Sequence, residues 1–164
     1  MLSLLESWVK SALLEIQEYV RLQIATVRGA FSRPFYFHDV VEQFDQIGIG
    51  SLTVVLLTGF FTGAVIALQT GITLDQFGAR PFVGRLISAS IIKEIGPVFT
   101  GLMLAGRIGS GIAAELGSMA VTDQISALRA LGTDPVRKLV VPRVIAGFVM
   151  APVLTVAYDT VGIL

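Results

Sequence analysis

The chain has 164 residues, 54% of them hydrophobic and only 15% charged, with 12 basic and 12 acidic side chains. A water-soluble domain carries about 25% charged residues to cover its surface, so this shortage excludes an ordinary soluble domain. The zero net charge gives no general attraction to nucleic acid, and with no cysteine and the single histidine His38 there is no disulfide framework, thiolate site or histidine cluster for a metal.

Residues 1–32 read as an amphipathic helix. Leu5, Trp8, Val9, Ala12, Ile16, Val20 and Val27 share one face, and Glu6, Lys10, Gln17, Arg21 and Arg28 another. This pattern suits a helix lying in a membrane interface, and it suits less well a helix packed on another protein helix. Glu6 and Lys10 make a favourable i,i+4 pair. The charges at Glu6, Lys10, Glu15, Glu18 and Arg21 interrupt any apolar run, so no cleavable leader is expected. Arg33-Pro34 breaks the helix, and residues 33–45 link it to the first membrane span.

That span is residues 46–74, which lack charge altogether and exceed the ~20 residues that cross a hydrocarbon core. A second runs over 82–114, which as one helix is ~50 Å long, more than the ~30 Å core needs. Pro97 removes the backbone bond to the carbonyl of Lys93, which predicts a bend near Lys93–Pro97. Residues 115–141 are polar enough to leave the membrane. Val121, Ile125, Leu128 and Leu131 recur there at helical spacing, with Thr122 as the expected cap, Asp123 in the first turn and Gly132-Thr133-Asp134-Pro135 as the stop. A third span covers 142–164 and contains Asp159. It stops within apolar sequence, which leads us to expect further chain beyond it. The fold class is therefore an all-α integral membrane protein. An interfacial amphipathic helix precedes at least three transmembrane helices and a loop helix. Lys10, Arg21, Arg28 and Arg33, with Arg129, Arg137, Lys138 and Arg143, outnumber Arg80 and Arg85, so the N-terminus and the 115–141 loop should be cytoplasmic.

Two stripes of small residues, Gly59/Gly63/Ala67 and Gly101/Ala105/Gly109, predict close helix packing, within the chain or between copies. Lys93 and Glu94 are the sharpest polar signal. An ionisable group at mid-membrane costs about 2.5–3.5 kcal/mol on insertion scales, so it should face a cavity, a partner or water. The other reading has both near the outer interface, reaching out of the core. Gly106-Arg107-Ile108-Gly109-Ser110-Gly111 lacks the phosphate-loop spacing and no strand precedes it, so ATP binding by this chain is not expected. Arg107 reads as an interfacial anchor. No catalytic constellation, cofactor site or metal site is read.

Three segments carry a family resemblance: GFFTGAVIALQT (59–70), KEIGPVFTGLMLAGRIGSGIAAELGSM (93–119) and VTDQISALRALGTDPVRKLVVPRVIAG (121–147). Together they resemble the permeases of MlaE/YrbE type, which belong to ABC systems transporting lipid with MCE-domain proteins. Members of that family continue with further membrane helices past the point corresponding to Leu164. The resemblance implies a homodimer with two cytoplasmic ABC ATPase subunits, an MCE-domain (MlaD-like) protein, and a STAS-domain protein as a further partner. It implies a phospholipid or related substrate in an outward-opening cavity between the copies. Lys93 and Glu94 match the charged pair near that cavity, and Ile66, Leu68, Gln69 and Ile72 on the first span offer it apolar walls and an amide. The loop after Glu115-Leu116-Gly117-Ser118-Met119 is similar to the coupling helix that docks into the ATPase, which places Glu115, Ser118, Thr122, Asp123, Gln124, Ile125 and Leu128 in that role. Two other functions remain open: an ion-coupled secondary transporter relaying through Lys93, Glu94 and Asp159, and a non-transporting membrane scaffold.

Overall fold

The computed structural model describes residues 2–31 and 36–164, and every regular element among them is helical. Helix α1 spans Leu2–Ala30. Three long helical rods come after it, at Phe37–Asp75, Arg80–Val121 and Val136–Ile163, each long and apolar enough to cross a membrane. The first rod joins α2 (Phe37–Phe44) to α3 (Gly50–Asp75); the second joins α4 (Val83–Ser90) to α5 (Gly96–Val121). The short α6 (Gln124–Ala130) bridges to the third rod, whose main part is α7 (Val141–Ile163). The Arg33-Pro34 break lies outside the described residues.

Each rod contains one π-helical turn, at Asp45–Ile49, Ile91–Ile95 and Val136–Val140. Two of the three have a common cause in the sequence. Proline lacks an N–H, and its ring collides with the carbonyl four residues back. Pro97 and Pro142 each follow such a turn, and the residue before each donates instead to the carbonyl five back: Gly96 to Ile91 and Val141 to Val136. The irregularity predicted around Lys93–Pro97 is thus a widened turn in an otherwise continuous helix.

α7 is the hub, packing on α2, α3 and α5. The core is small: Val55 from α3, Ile87 from α4, Ile91 from the π turn, Leu104 from α5, and Leu154 and Tyr158 from α7. Most large apolar side chains instead face outward, among them Leu57, Phe60, Phe61, Leu102, Phe148 and Val156. That is the surface a helix presents to lipid, where apolar burial no longer drives association and close backbone approach takes its place. The α3–α7 crossing shows it. A Cβ on Gly59 would sit 2.9 Å from the Tyr158 carbonyl oxygen, and one on Gly63 would run into the backbone of Gly162. Hydroxyls within the spans are satisfied on their own helices. Thr58, Thr73, Thr155 and Thr160 donate to Val54, Gln69, Ala151 and Val156 carbonyls at 2.7–2.8 Å.

The second small-residue stripe behaves differently. Gly101, Ala105 and Gly109 are exposed, and a Cβ on either glycine would meet nothing within 4 Å. Ala67, which extends the first stripe, is exposed as well.

α1 touches the bundle near its C-terminal end, where a Cβ on Gly29 would press on Val141 and Arg137. The expected Glu6–Lys10 pair forms at 2.6 Å. Trp8, Val9, Ile16, Val20 and Val27 remain exposed, an unpartnered apolar face as an interfacial helix requires.

Candidate functional site

Polar chemistry gathers at two levels of the bundle. One is the π turn Ile91–Ile95. Ile91 and Gly96 at its ends are buried, while Lys93 and Glu94 point outward and are exposed; neither forms an ion pair among the described residues. α7 packs behind this turn, and Asp159 lies so close to Gly96 that a Cβ there would meet its carboxylate. The Asp159 Oδ1 atom is buried without a hydrogen-bond partner. Backbone contact therefore brings Asp159 to the level of Lys93 and Glu94, on the opposite side of the rod's packed face.

Of the four residues expected along a cavity wall, Ile66 is half-buried against the core, whereas Leu68, Gln69 and Ile72 are exposed. A cleft of about 250 Å³ does open nearby, lined chiefly by Phe60, Gly63, Ala64, Ala67, Ile87 and Gly162, but none of the four borders it. Their exposed side chains share the outer surface of the chain with Lys93 and Glu94.

The second level is the end of the bundle that carries α6. α5 continues as helix to Val121, past the predicted end of the second span at residue 114, and so takes Glu115 and Ser118 into regular helix. Thr122 is not the cap of the following helix, as expected from sequence. Its hydroxyl donates to the Ser118 carbonyl at 2.8 Å, closing α5. Asp123 occupies the N-cap position instead, with φ +56°, and makes no side-chain cap bond. The left-handed residue reverses the chain between α5 and α6 in two residues; aspartate tolerates it better than most. Gln124 is exposed, while Ile125 and Leu128 are half-buried where α6 packs on α5. The predicted stop is a Schellman motif. Gly132, at φ +74°, donates to Arg129 and Thr133 to Leu128, both at 3.0 Å.

Two ion pairs fasten this end to the spans. Lys138 Nζ lies 3.1 Å from Asp39 Oδ2 and 4.8 Å from the centre of the Tyr36 ring. Arg143 Nη2 lies 2.6 Å from Glu115 Oε1, joining α7 to α5. Arg143 is only 5% exposed and Glu115 49%. Sequence reasoning counted both as loop charges and missed the pair. The signal available was position: Arg143 follows Pro142 into an apolar run, and Glu115 stands one helical turn beyond Gly111 on α5. Among the described residues no group of acidic and histidine side chains is placed to hold a metal ion.

These features define a multi-pass helical membrane protein with a polar level inside the spans and a tethered helix at one end. The family model for Permease MlaE matches residues 40–164. A probable ABC transporter permease protein of Rickettsia bellii is 40% identical over 149 residues, which is 91% of this chain and 58% of that protein. The intermembrane phospholipid transport system permease protein MlaE of Haemophilus influenzae is 40% identical over 128 residues, 78% of this chain and 49% of that one. Protein TRIGALACTOSYLDIACYLGLYCEROL 1, chloroplastic, of Arabidopsis thaliana is 38% identical over 127 residues, 77% of this chain and 36% of that one. The chain belongs to the MlaE permease family, and it spans about half the length of the curated relatives it matches.

Proposed function

We propose that the chain is the membrane permease part of an ABC transporter that moves phospholipid or a related lipid between the inner membrane and an MCE-protein conduit. Energy comes from a separate ATPase subunit, and the permease itself is not catalytic. The observation that carries this reading is the outward-facing Lys93–Glu94 pair. It sits on an apolar rod, at a widened turn, with no ion-pair partner among the described residues. Unpaired charge at that depth is costly unless it meets water or a polar group. A cavity shared with a second copy, walled by Leu68, Gln69 and Ile72, supplies such a place, and Lys93 there attracts a lipid phosphate.

α6 supports the other half of the mechanism. It is short, amphipathic and set between two reversals, with Asp123 and Gln124 turned to solvent and Leu128 turned to α5. In this reading the N-terminus and α6 are cytoplasmic, α6 receives the thrust of the ATPase, and the Glu115–Arg143 and Asp39–Lys138 pairs pass it to the rods. An MlaD-like MCE protein stands on the outer side, and a STAS-domain protein joins the ATPase. The test is ATP-driven lipid transfer by the complex reconstituted in vesicles. Lys93→Ala with Glu94→Ala should cut transfer at least tenfold while the complex still assembles, the loss expected for removing a desolvated charge contact. Undiminished transfer, or transfer that follows a proton gradient rather than ATP, rejects the proposal.

A further inference from the structure

The α6 end of the bundle holds a cleft to which the lipid cavity gives no role. It has a volume of about 280 Å³ and lies between the Asp45–Ile49 turn with the start of α3 on one side and α5 on the other. Gln43, Gln46, Ser51, Arg107 and Glu115 supply its polar lining. A neighbouring cleft of about 170 Å³ shares Gln43, Gln46 and Glu115 with it and adds Arg143. The two are one continuous polar groove.

Its hydrogen-bonding capacity is lopsided. Ser51 is 2% exposed and its hydroxyl has no partner, although hydroxyls elsewhere in the spans bond to their own helices. Arg143 is 5% exposed; Glu115 takes its Nη2, and its Nη1 has none. The Arg107 guanidinium lies beside Gly50 at the mouth and forms no ion pair among the described residues. Gln43 donates to Gln46 at 3.3 Å, which leaves the Gln46 amide nitrogen to donate further. Buried donors without acceptors are costly, and here they converge from three helices. Two guanidinium groups, a hydroxyl and an amide suit an oxyanion with several acceptor atoms, and arginine's planar fork matches phosphate oxygens.

We infer that this groove is a phosphate-binding site, for the headgroup phosphate of a phospholipid or for a free phosphate. It is separate from the lipid cavity proposed above. Arg107 stands 13 residues from Glu94, about 20 Å along the rod. The inference therefore stands or falls independently of that reading.

Native mass spectrometry of the detergent-purified protein provides the test, with phosphatidylglycerol, diacylglycerol of the same acyl chains and inorganic phosphate as probes. Phosphatidylglycerol should be retained and diacylglycerol not. Arg107→Gln should weaken phosphatidylglycerol binding roughly tenfold or more, the effect of losing one charge-assisted hydrogen bond. Ser51→Ala should act in the same direction by less, and Arg80→Gln at the far end should have no effect. Displacement of the lipid by inorganic phosphate makes the phosphate group alone sufficient; no displacement, with the Arg107 dependence intact, makes the lipid the ligand. Diacylglycerol bound as well as phosphatidylglycerol overturns the inference. So does unchanged binding in Arg107→Gln with helix content preserved, and if that variant does not fold, unchanged binding in Ser51→Ala decides against it.

Discussion

The two glycine stripes have the same spacing and opposite fates. On α3, Gly59 and Gly63 meet α7 so closely that the Tyr158 and Gly162 backbones occupy the space a side chain would need. On α5, Gly101 and Gly109 meet nothing. A small-residue repeat states that a helix can be approached closely; it does not state by what. α3 holds α7 through backbone contact. α5 holds it through Leu104 in the core and through the Glu115–Arg143 ion pair near the α6 end. Its own stripe is left for a neighbour outside the chain, as a homodimer would provide.

Substitution can break this contrast, and the largest effect should come from Gly63→Leu. The obstructing atoms are backbone, so neither helix can yield by a rotamer change. The loss should exceed the about 1–3 kcal/mol of an ordinary overpacked core, and detergent-solubilised protein should lose its cooperative thermal transition. A transition within a few degrees of the parent would mean that α3 and α7 do not cross there.

Next comes the polar tie. Glu115→Ala leaves the buried Arg143 without its partner, whereas Arg143→Met leaves a half-exposed carboxylate that water can solvate. Glu115→Ala should therefore destabilise by about 1–3 kcal/mol and Arg143→Met by less, read from denaturant midpoints. The reverse order would show that Arg143 finds other acceptors. Smallest for the chain itself should be Gly101→Leu with Gly109→Leu. Thermal stability should stay within about 0.5 kcal/mol, as for surface changes generally, while crosslinking of two copies falls. Retained crosslinking would remove α5 from the contact between copies.

The rods were legible in the sequence because length and apolar composition alone set them. So was the disturbance before Pro97, since a missing N–H has a local consequence. Side-chain direction was less legible. Lys93 and Glu94 stood out as costly charges, but their outward direction depends on the widened turn and on which face α7 covers. The α5–α6 boundary was misplaced for a different reason. Thr122 suits a cap by composition, yet its hydroxyl bonds back to Ser118, and the reversal falls on Asp123. Arg143 and Glu115 were invisible as a pair because 28 residues of sequence and a short helix separate them.

The widened turns also set a rule for insertions and deletions. Each holds one residue more than a regular turn, and one residue is worth about 100° of rotation. Deleting a single residue within Ile91–Ile95 would let that stretch close into ordinary α-helix. Everything from Val83 to Ser90 would then swing by about 100° relative to α5, carrying Ile87 out of the core. The rod would remain a good helix and lose its place in the bundle, so a length change as small as one codon there alters the fold more than most changes of residue type.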